Sequence, residues 1–163
     1  MQISLFLFLM VVSLILQATV LDYVSILGVK PDLVMLLVIF NGFLLGHREG
    51  AFLGFAGGII EDLFAGSYIG LNALSKLAAG YLAGEAGERL YRENILVAAG
   101  VTFLSSTAGL VINYLLLLFL GIHIPPFYAL LRVILPTACY TTVLVLLFFK
   151  RVSRFIVIRN RDL

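Results

Sequence analysis

Residues 57–76, which read GGIIEDLFAGSYIGLNALSK, place two adjacent acids and a lysine inside an apolar sequence. Of the 163 residues, 62% are hydrophobic and only 12% are charged, which is about half the charged fraction of a typical soluble domain. Apolar runs of about 20 residues recur along the chain and are long enough to cross a bilayer. The sequence therefore predicts an all-α integral membrane protein, in which buried charges need partners.

Six membrane spans fit the alternation of apolar runs and polar breaks. The range 31–66 alone would form a helix of about 54 Å, too long for a hydrocarbon core of about 30 Å. We expect His47, Arg48 and Glu49, which are flanked by glycines, to break it into a hairpin. The prediction is one polytopic domain, residues 1–163, with spans at about 2–21, 31–46, 50–66, 69–87, 95–121 and 127–149 and a basic tail at 150–163.

The distribution of basic residues predicts the orientation, because cytoplasmic loops of membrane proteins are enriched in Lys and Arg. The loops at 65–70 and 121–126 contain neither residue, whereas the tail is strongly basic. The N-terminus lacks the basic start of a signal peptide, so we expect the first span to be retained. An even number of spans then places both termini in the cytoplasm. The basic residues predicted on that side include Arg48, Arg89, Arg92, Lys150, Arg151 and Arg154.

In this topology, charged residues from four spans lie at similar depth near the outer face. A single charge at the centre of a bilayer costs roughly 2.5–3.5 kcal/mol, so these groups should face one another or water. Adjacent residues on a helix point about 100° apart, so we expect Lys76 to pair with one of Glu61 and Asp62, and Arg132 with the other. The predicted polar cluster consists of Asp32, Glu61, Asp62, Asn72, Lys76 and Arg132. It either fixes helix packing or forms an outward pocket for a ligand or a partner's side chain.

Glycines at four-residue spacing predict close packing of helices. They form two small-xxx-small faces, Gly54 with Gly58 and Gly80 with Gly84. Contact between helices of the same chain is one interpretation, and a face for a homodimer or another partner is the alternative.

Motifs for catalysis or metal binding are missing from the sequence. HExxH, P-loop, paired intramembrane Asp and Ser/His arrangements are absent, as is any nucleic-acid-binding module. His47 and His123 are predicted at opposite membrane faces, and the single cysteine, Cys139, excludes a cysteine-based metal site. We expect a non-enzymatic protein without cofactor or metal.

The run from Pro31 to Arg92 resembles the bacterial rod shape-determining protein MreD family. The family pattern is a Pro-Asp pair opening an apolar span, a short basic turn, a Gly-rich span with an acidic end, and then G-x-x-x-G-L. In this sequence the corresponding residues are Pro31, Asp32, Arg48, Gly54, Gly57, Gly58, Asp62, Gly66, Gly70 and Leu71. The length, the span layout and the basic C-terminus agree as well, so the likeness covers nearly the whole chain. Glu61 lies outside the pattern.

The resemblance implies a component of the bacterial elongation (rod) complex in the cytoplasmic (inner) membrane. Members of the family work with MreC as the direct partner, and with MreB, RodA and a class B penicillin-binding protein, to organise side-wall peptidoglycan synthesis and maintain rod shape. The resemblance also implies a fold similar to that of the substrate-binding subunits of energy-coupling-factor transporters. That similarity supplies the alternative function, a membrane subunit that binds a small molecule or a lipid-linked precursor for transport.

Overall fold

The computed structural model describes residues 3–20, 23, 25, 28–66 and 68–161, and these residues form helices joined by short loops. The prediction of an all-α fold is therefore confirmed. The helices are α1 (Ile3–Thr19), α2 (Leu33–Leu45), α3 (His47–Ala65), α4 (Leu71–Arg89), α5 (Ile95–Phe119), α6 (Pro126–Ala129) and α7 (Leu135–Arg161), with a π-helical turn (Leu130–Ile134) between α6 and α7.

Among the residues that the structure describes, two helical segments are long and apolar enough to cross a membrane, Ile95–Phe119 and Pro126–Arg151. Helices α1 and α2 are apolar but shorter. Each of the six predicted spans corresponds to a helix, since α6, the π-helical turn and α7 follow one another without a break. How many of these helices cross the bilayer stays a prediction.

The break between α2 and α3 is shorter than the sequence predicts. It consists of Gly46 alone, at φ 120° and ψ 173°, while His47, Arg48 and Glu49 form the first turn of α3. A glycine adopts this positive φ without the steric penalty of a Cβ, so one residue is enough to reverse the chain. The predicted three-residue turn is therefore wrong.

The basic tail, residues 150–163, follows directly on the last predicted span. Helix α7 continues past Lys150 to Arg161, so the tail begins as an extension of that helix. The side chains of Lys150, Arg151 and Arg154 are exposed. Helical continuation needs no hydrophobic partner here, because the preceding turns already nucleate it.

Helices α3 and α4 lie antiparallel with their backbones in direct contact. A Cβ atom on Gly54 would overlap the carbonyl group of Lys76, and one on Gly58 would overlap the backbone of Ala73. From the other side, a Cβ on Gly80 would overlap the Gly50 carbonyl, and one on Gly84 the backbone of His47. The structure thus places both glycine faces in a contact within the chain.

Helix α2 lies at the centre of the bundle, and its residues from Val34 to Phe43 are buried apart from Leu37. On one side, Met35, Ile39 and Phe43 pack in a cluster with residues of α4, α5 and α7. On the other side, Val34 and Val38 pack against α1 and α3. The position of α2 fixes where the residue before it, Asp32, enters the bundle.

We predict that Gly54→Ala lowers the free energy of unfolding by about 1–3 kcal/mol, the usual cost of overpacking. The added methyl group would overlap backbone atoms of Lys76, which cannot move as a flexible side chain can. Gly100→Ala is the matched control, since no described atom from another part of the chain lies within 4 Å of its Cβ position. Thermal unfolding in detergent measures both variants. Equal melting temperatures would contradict the close α3–α4 contact.

Candidate functional site

A buried lysine joins three helices near the 66–70 loop. The Lys76 side chain is 1% exposed, and its Nζ lies 2.9 Å from Asp32 Oδ2 and 2.6 Å from Glu61 Oε2. It also donates a hydrogen bond of 3.3 Å to Asn72 Oδ1, one helical turn earlier in α4. The ammonium group therefore holds the start of α2 and the end of α3 against α4.

Asp32 is placed by its second role as the N-cap of α2. Its Oδ1 accepts a hydrogen bond of 2.8 Å from the Met35 backbone N–H. The Pro31–Asp32 pattern predicts this cap, because an acid at the start of a helix is favourable. Gln17 Nε2 of α1 lies 3.4 Å from the same oxygen. Because one carboxylate oxygen caps the helix, the other is aimed at Lys76.

Asp62 has different partners from its neighbour Glu61. It is fully buried, and its two oxygens accept hydrogen bonds from the backbone N–H groups of Gly70 (2.8 Å), Asn72 (3.2 Å) and Ala73 (3.3 Å). Asn72 Nδ2 donates another at 2.9 Å. Helix α4 has no side-chain cap from its own N-cap residue, Gly70. Asp62 thus caps α4 from α3, where the helix dipole favours a negative charge.

The loop between the two helices depends on two glycines. Gly66 has φ 61° and Gly70 has φ 109°, values that other residues rarely adopt. These turns bring the start of α4 back to the Asp62 carboxylate. The G-x-x-x-G-L motif of the sequence is therefore the return loop that Asp62 caps.

The structure brings together Asp32, Glu61, Asp62, Asn72 and Lys76, but not Arg132. Arg132 lies in the π-helical turn with an exposed side chain, and it makes no ion pair with any residue that the structure describes. The predicted pairing of one acid with Arg132 is therefore corrected. The physical reason is that the N–H groups at the start of α4 already satisfy Asp62.

A cavity of about 620 Å³ lies beside the cluster. Asp32 and Glu61 line it, whereas Lys76 does not, and the side chains of the two acids are 16% and 17% exposed. The lining residues come from α1, α3, α7 and the segment before α2: Leu14, Ile15, Gln17, Ala18, Thr19, Lys30, Pro31, Asp32, Glu61, Phe64, Ala65 and Thr137. The sequence predicts the acids of this site but not the apolar walls, which form where α1 packs beside α3.

At the opposite end of α3 and α4, Glu88 fastens the start of α3. Its Oε1 accepts a hydrogen bond from the His47 backbone N–H at 3.1 Å and lies 2.7 Å from the His47 Nδ1. The backbone bond, followed by the ring contact, holds the pKa of Glu88 below its usual value. His47, Glu85 and Glu88 each place a potential metal-ligand atom within 4.8 Å of the others. Glu85 also pairs with Arg89, so protein groups already occupy these acids.

Arg92 fastens the same end in a way that sequence reasoning missed. Its Nε donates to the Gly87 carbonyl at 2.6 Å and its Nη1 to the Leu44 carbonyl at 2.8 Å. It therefore joins the ends of α2 and α4, besides its predicted role in orientation. Arg48, by contrast, is exposed. The sequence signal was an arginine just after a helix end, where last-turn carbonyls lack partners.

The fold is that of an all-helical protein with apolar helices suited to a membrane and a charged cluster buried among them. A family model for rod shape-determining protein MreD matches residues 1–157. The chain therefore belongs to the MreD family, whose members are membrane proteins with a role in cell shape. Searches of curated proteins and of solved structures found no match.

We predict that Asp62→Ala destabilises the start of α4, because it leaves three backbone donors without their acceptor and each unpaired donor costs about 1–3 kcal/mol. Hydrogen exchange followed by mass spectrometry should show lost protection at Gly70, Asn72 and Ala73. Glu93→Ala is the control, since Glu93 is exposed in the next loop. Unchanged protection in the Asp62 variant would show that the cap is dispensable.

We predict that Lys76→Met lowers the free energy of unfolding by about 3–5 kcal/mol, because it leaves two carboxylates facing each other without a cation. Combining it with Asp32→Asn and Glu61→Gln should restore much of the loss, since the whole cluster is then neutral. Thermal unfolding in detergent compares these variants with Lys150→Met, which removes an exposed lysine. Similar melting temperatures for Lys76→Met and Lys150→Met would contradict this prediction.

Proposed function

We propose that this chain is a non-enzymatic component of the bacterial elongation (rod) complex, in which it partners MreC to organise side-wall peptidoglycan synthesis and maintain rod shape. The observation that carries the proposal is the MreD family match over residues 1–157. MreB, RodA and a class B penicillin-binding protein belong to the same proposed complex.

The contacts of the buried charges support a structural role in preference to a catalytic one. Asp32 and Asp62 each cap a helix, and Lys76 binds Asp32 and Glu61. Charges used in this way hold helices in fixed positions, which suits a protein that presents surfaces to partners.

The proposed setting is the bacterial inner membrane, with several helices crossing it and both termini in the cytoplasm. Large apolar side chains cover the outside of α5 and α7, and Leu104 and Leu147 are each 69% exposed. Such a surface suits lipid or the membrane helix of a partner. The α3–α4 glycines are occupied within the chain, so we do not assign MreC or a homodimer to them.

The first test is affinity purification of the tagged chain from its host membrane in mild detergent, with partners identified by mass spectrometry. We expect MreC together with wall-synthesis proteins. An untagged strain is the control for background binding. Recovery of ATPase and coupling subunits instead would refute the adaptor function and favour the transporter alternative.

We expect Lys76→Met to reduce rod growth when it replaces the native copy, because loosening α2, α3 and α4 disturbs the surfaces they present. Microscopy measures cell shape, and immunoblotting measures the amount of protein in the membrane. Lys150→Met serves as the matched control and should support normal rods. If Lys76→Met folds, recovers the same partners and maintains rods, the buried cluster has no essential role.

A further inference from the structure

We propose that the cavity beside Asp32 and Glu61 binds the ammonium headgroup of an amphiphile, the chemistry of an aminophospholipid. This inference goes beyond the proposed function and does not depend on which proteins the chain assembles with.

The size and lining of the cavity suit a small amphiphilic ligand. Its volume of about 620 Å³ lies within the roughly 300–1,000 Å³ typical of small-molecule sites, which are mainly apolar with a few placed polar groups. Leu14 and Ile15 of α1 form one apolar wall, and Phe64 and Ala65 of α3 form another. Ile15 and Phe64 are 54% and 69% exposed, so the apolar part of the cavity is continuous with the outer surface of the bundle.

The charge of the cluster selects a cation. Two carboxylates, Asp32 and Glu61, face the single ammonium of Lys76, which leaves one formal negative charge in excess when all three are ionised. Glu61 Oε2 lies 2.6 Å from Lys76 Nζ, and the same carboxylate lines the cavity. An ammonium group in the cavity would supply the missing positive charge and could donate a charge-assisted hydrogen bond to a carboxylate that lines it.

The opposite charge of Lys30 at the same cavity favours a zwitterionic headgroup over a simple amine. Lys30 lines the cavity two residues before Asp32, and its side chain is exposed. The acyl chain would follow the apolar walls of α1 and α3. The site also lies at the end of the bundle that the sequence predicts to face outward.

Native mass spectrometry of the purified full chain in detergent tests this inference. The probes are phosphatidylethanolamine, phosphatidylcholine and phosphatidylglycerol with identical acyl chains. We expect phosphatidylethanolamine to be retained about tenfold more than phosphatidylcholine, whose methylated ammonium donates no hydrogen bond; one charge-assisted bond supports such a ratio. Phosphatidylglycerol should bind least, since it has no cation. Equal retention of all three lipids would overturn the proposal.

Two variants locate the binding. Ile15→Trp should fill the cavity and abolish the preference, whereas Leu104→Trp, at an exposed leucine of α5 outside the cavity, should leave it intact. Retention of the preference in Ile15→Trp would overturn the assignment to this cavity. Glu61→Gln should reduce the ratio of phosphatidylethanolamine to phosphatidylcholine to about one by removing the charge-assisted bond. If the Glu61→Gln variant does not fold, the comparison of Ile15→Trp with Leu104→Trp decides whether the lipid binds in this cavity.

A photo-crosslinking residue at position 15 distinguishes a lipid in the cavity from a side chain of a partner protein. Crosslinks to phospholipid in cells support the proposal, and crosslinks to a basic side chain of a partner protein would overturn it. Because partner recovery is measured separately, loss of the lipid preference leaves the test of the adaptor function unaffected.

Discussion

The backbone contact between α3 and α4 is the constraint on which the rest of the structure depends. Gly54 and Gly58 let α4 approach so closely that any side chain there would overlap its backbone. At this distance Lys76 cannot extend into solvent or lipid, and it is buried beside Glu61 and Asp32. In a membrane the hydrophobic effect does not drive helices together, because lipid tails are as apolar as the helix surfaces. Helices there associate through close packing of small residues instead. The ion cluster follows from that packing.

The two adjacent acids have separate tasks because they point in different directions from α3. Asp62 points to the start of α4 and replaces the cap that Gly70 cannot provide. Glu61 points to Lys76 and lines the cavity. The residues that match the MreD pattern, Asp62, Gly66 and Gly70, therefore build the fold.

Charged groups fasten both ends of the α3–α4 pair. At one end the Asp62 cap holds the 66–70 loop, and at the other Glu88 caps α3 while Arg92 binds carbonyl groups of α2 and α4. Each of these side chains satisfies backbone groups that a helix end leaves without partners. A bundle held in this way keeps its outer surfaces in fixed relative positions, which suits the proposed role as an adaptor.

Local properties of the sequence determined the helical class, the positions of the helices to within a few residues except for the end of α7, the cap at Asp32 and the membership of the MreD family. These features depend on hydrophobic runs, on glycine and proline, and on residues close together in the chain. The partner of Asp62, the one-residue turn at Gly46 and the apolar walls beside Glu61 were decided only by the tertiary structure. Each depends on how far a helix is rotated about its axis and how closely its neighbour approaches. Within one helix the sequence fixes only that successive residues point about 100° apart. It does not fix which face of the helix is turned toward a neighbouring helix.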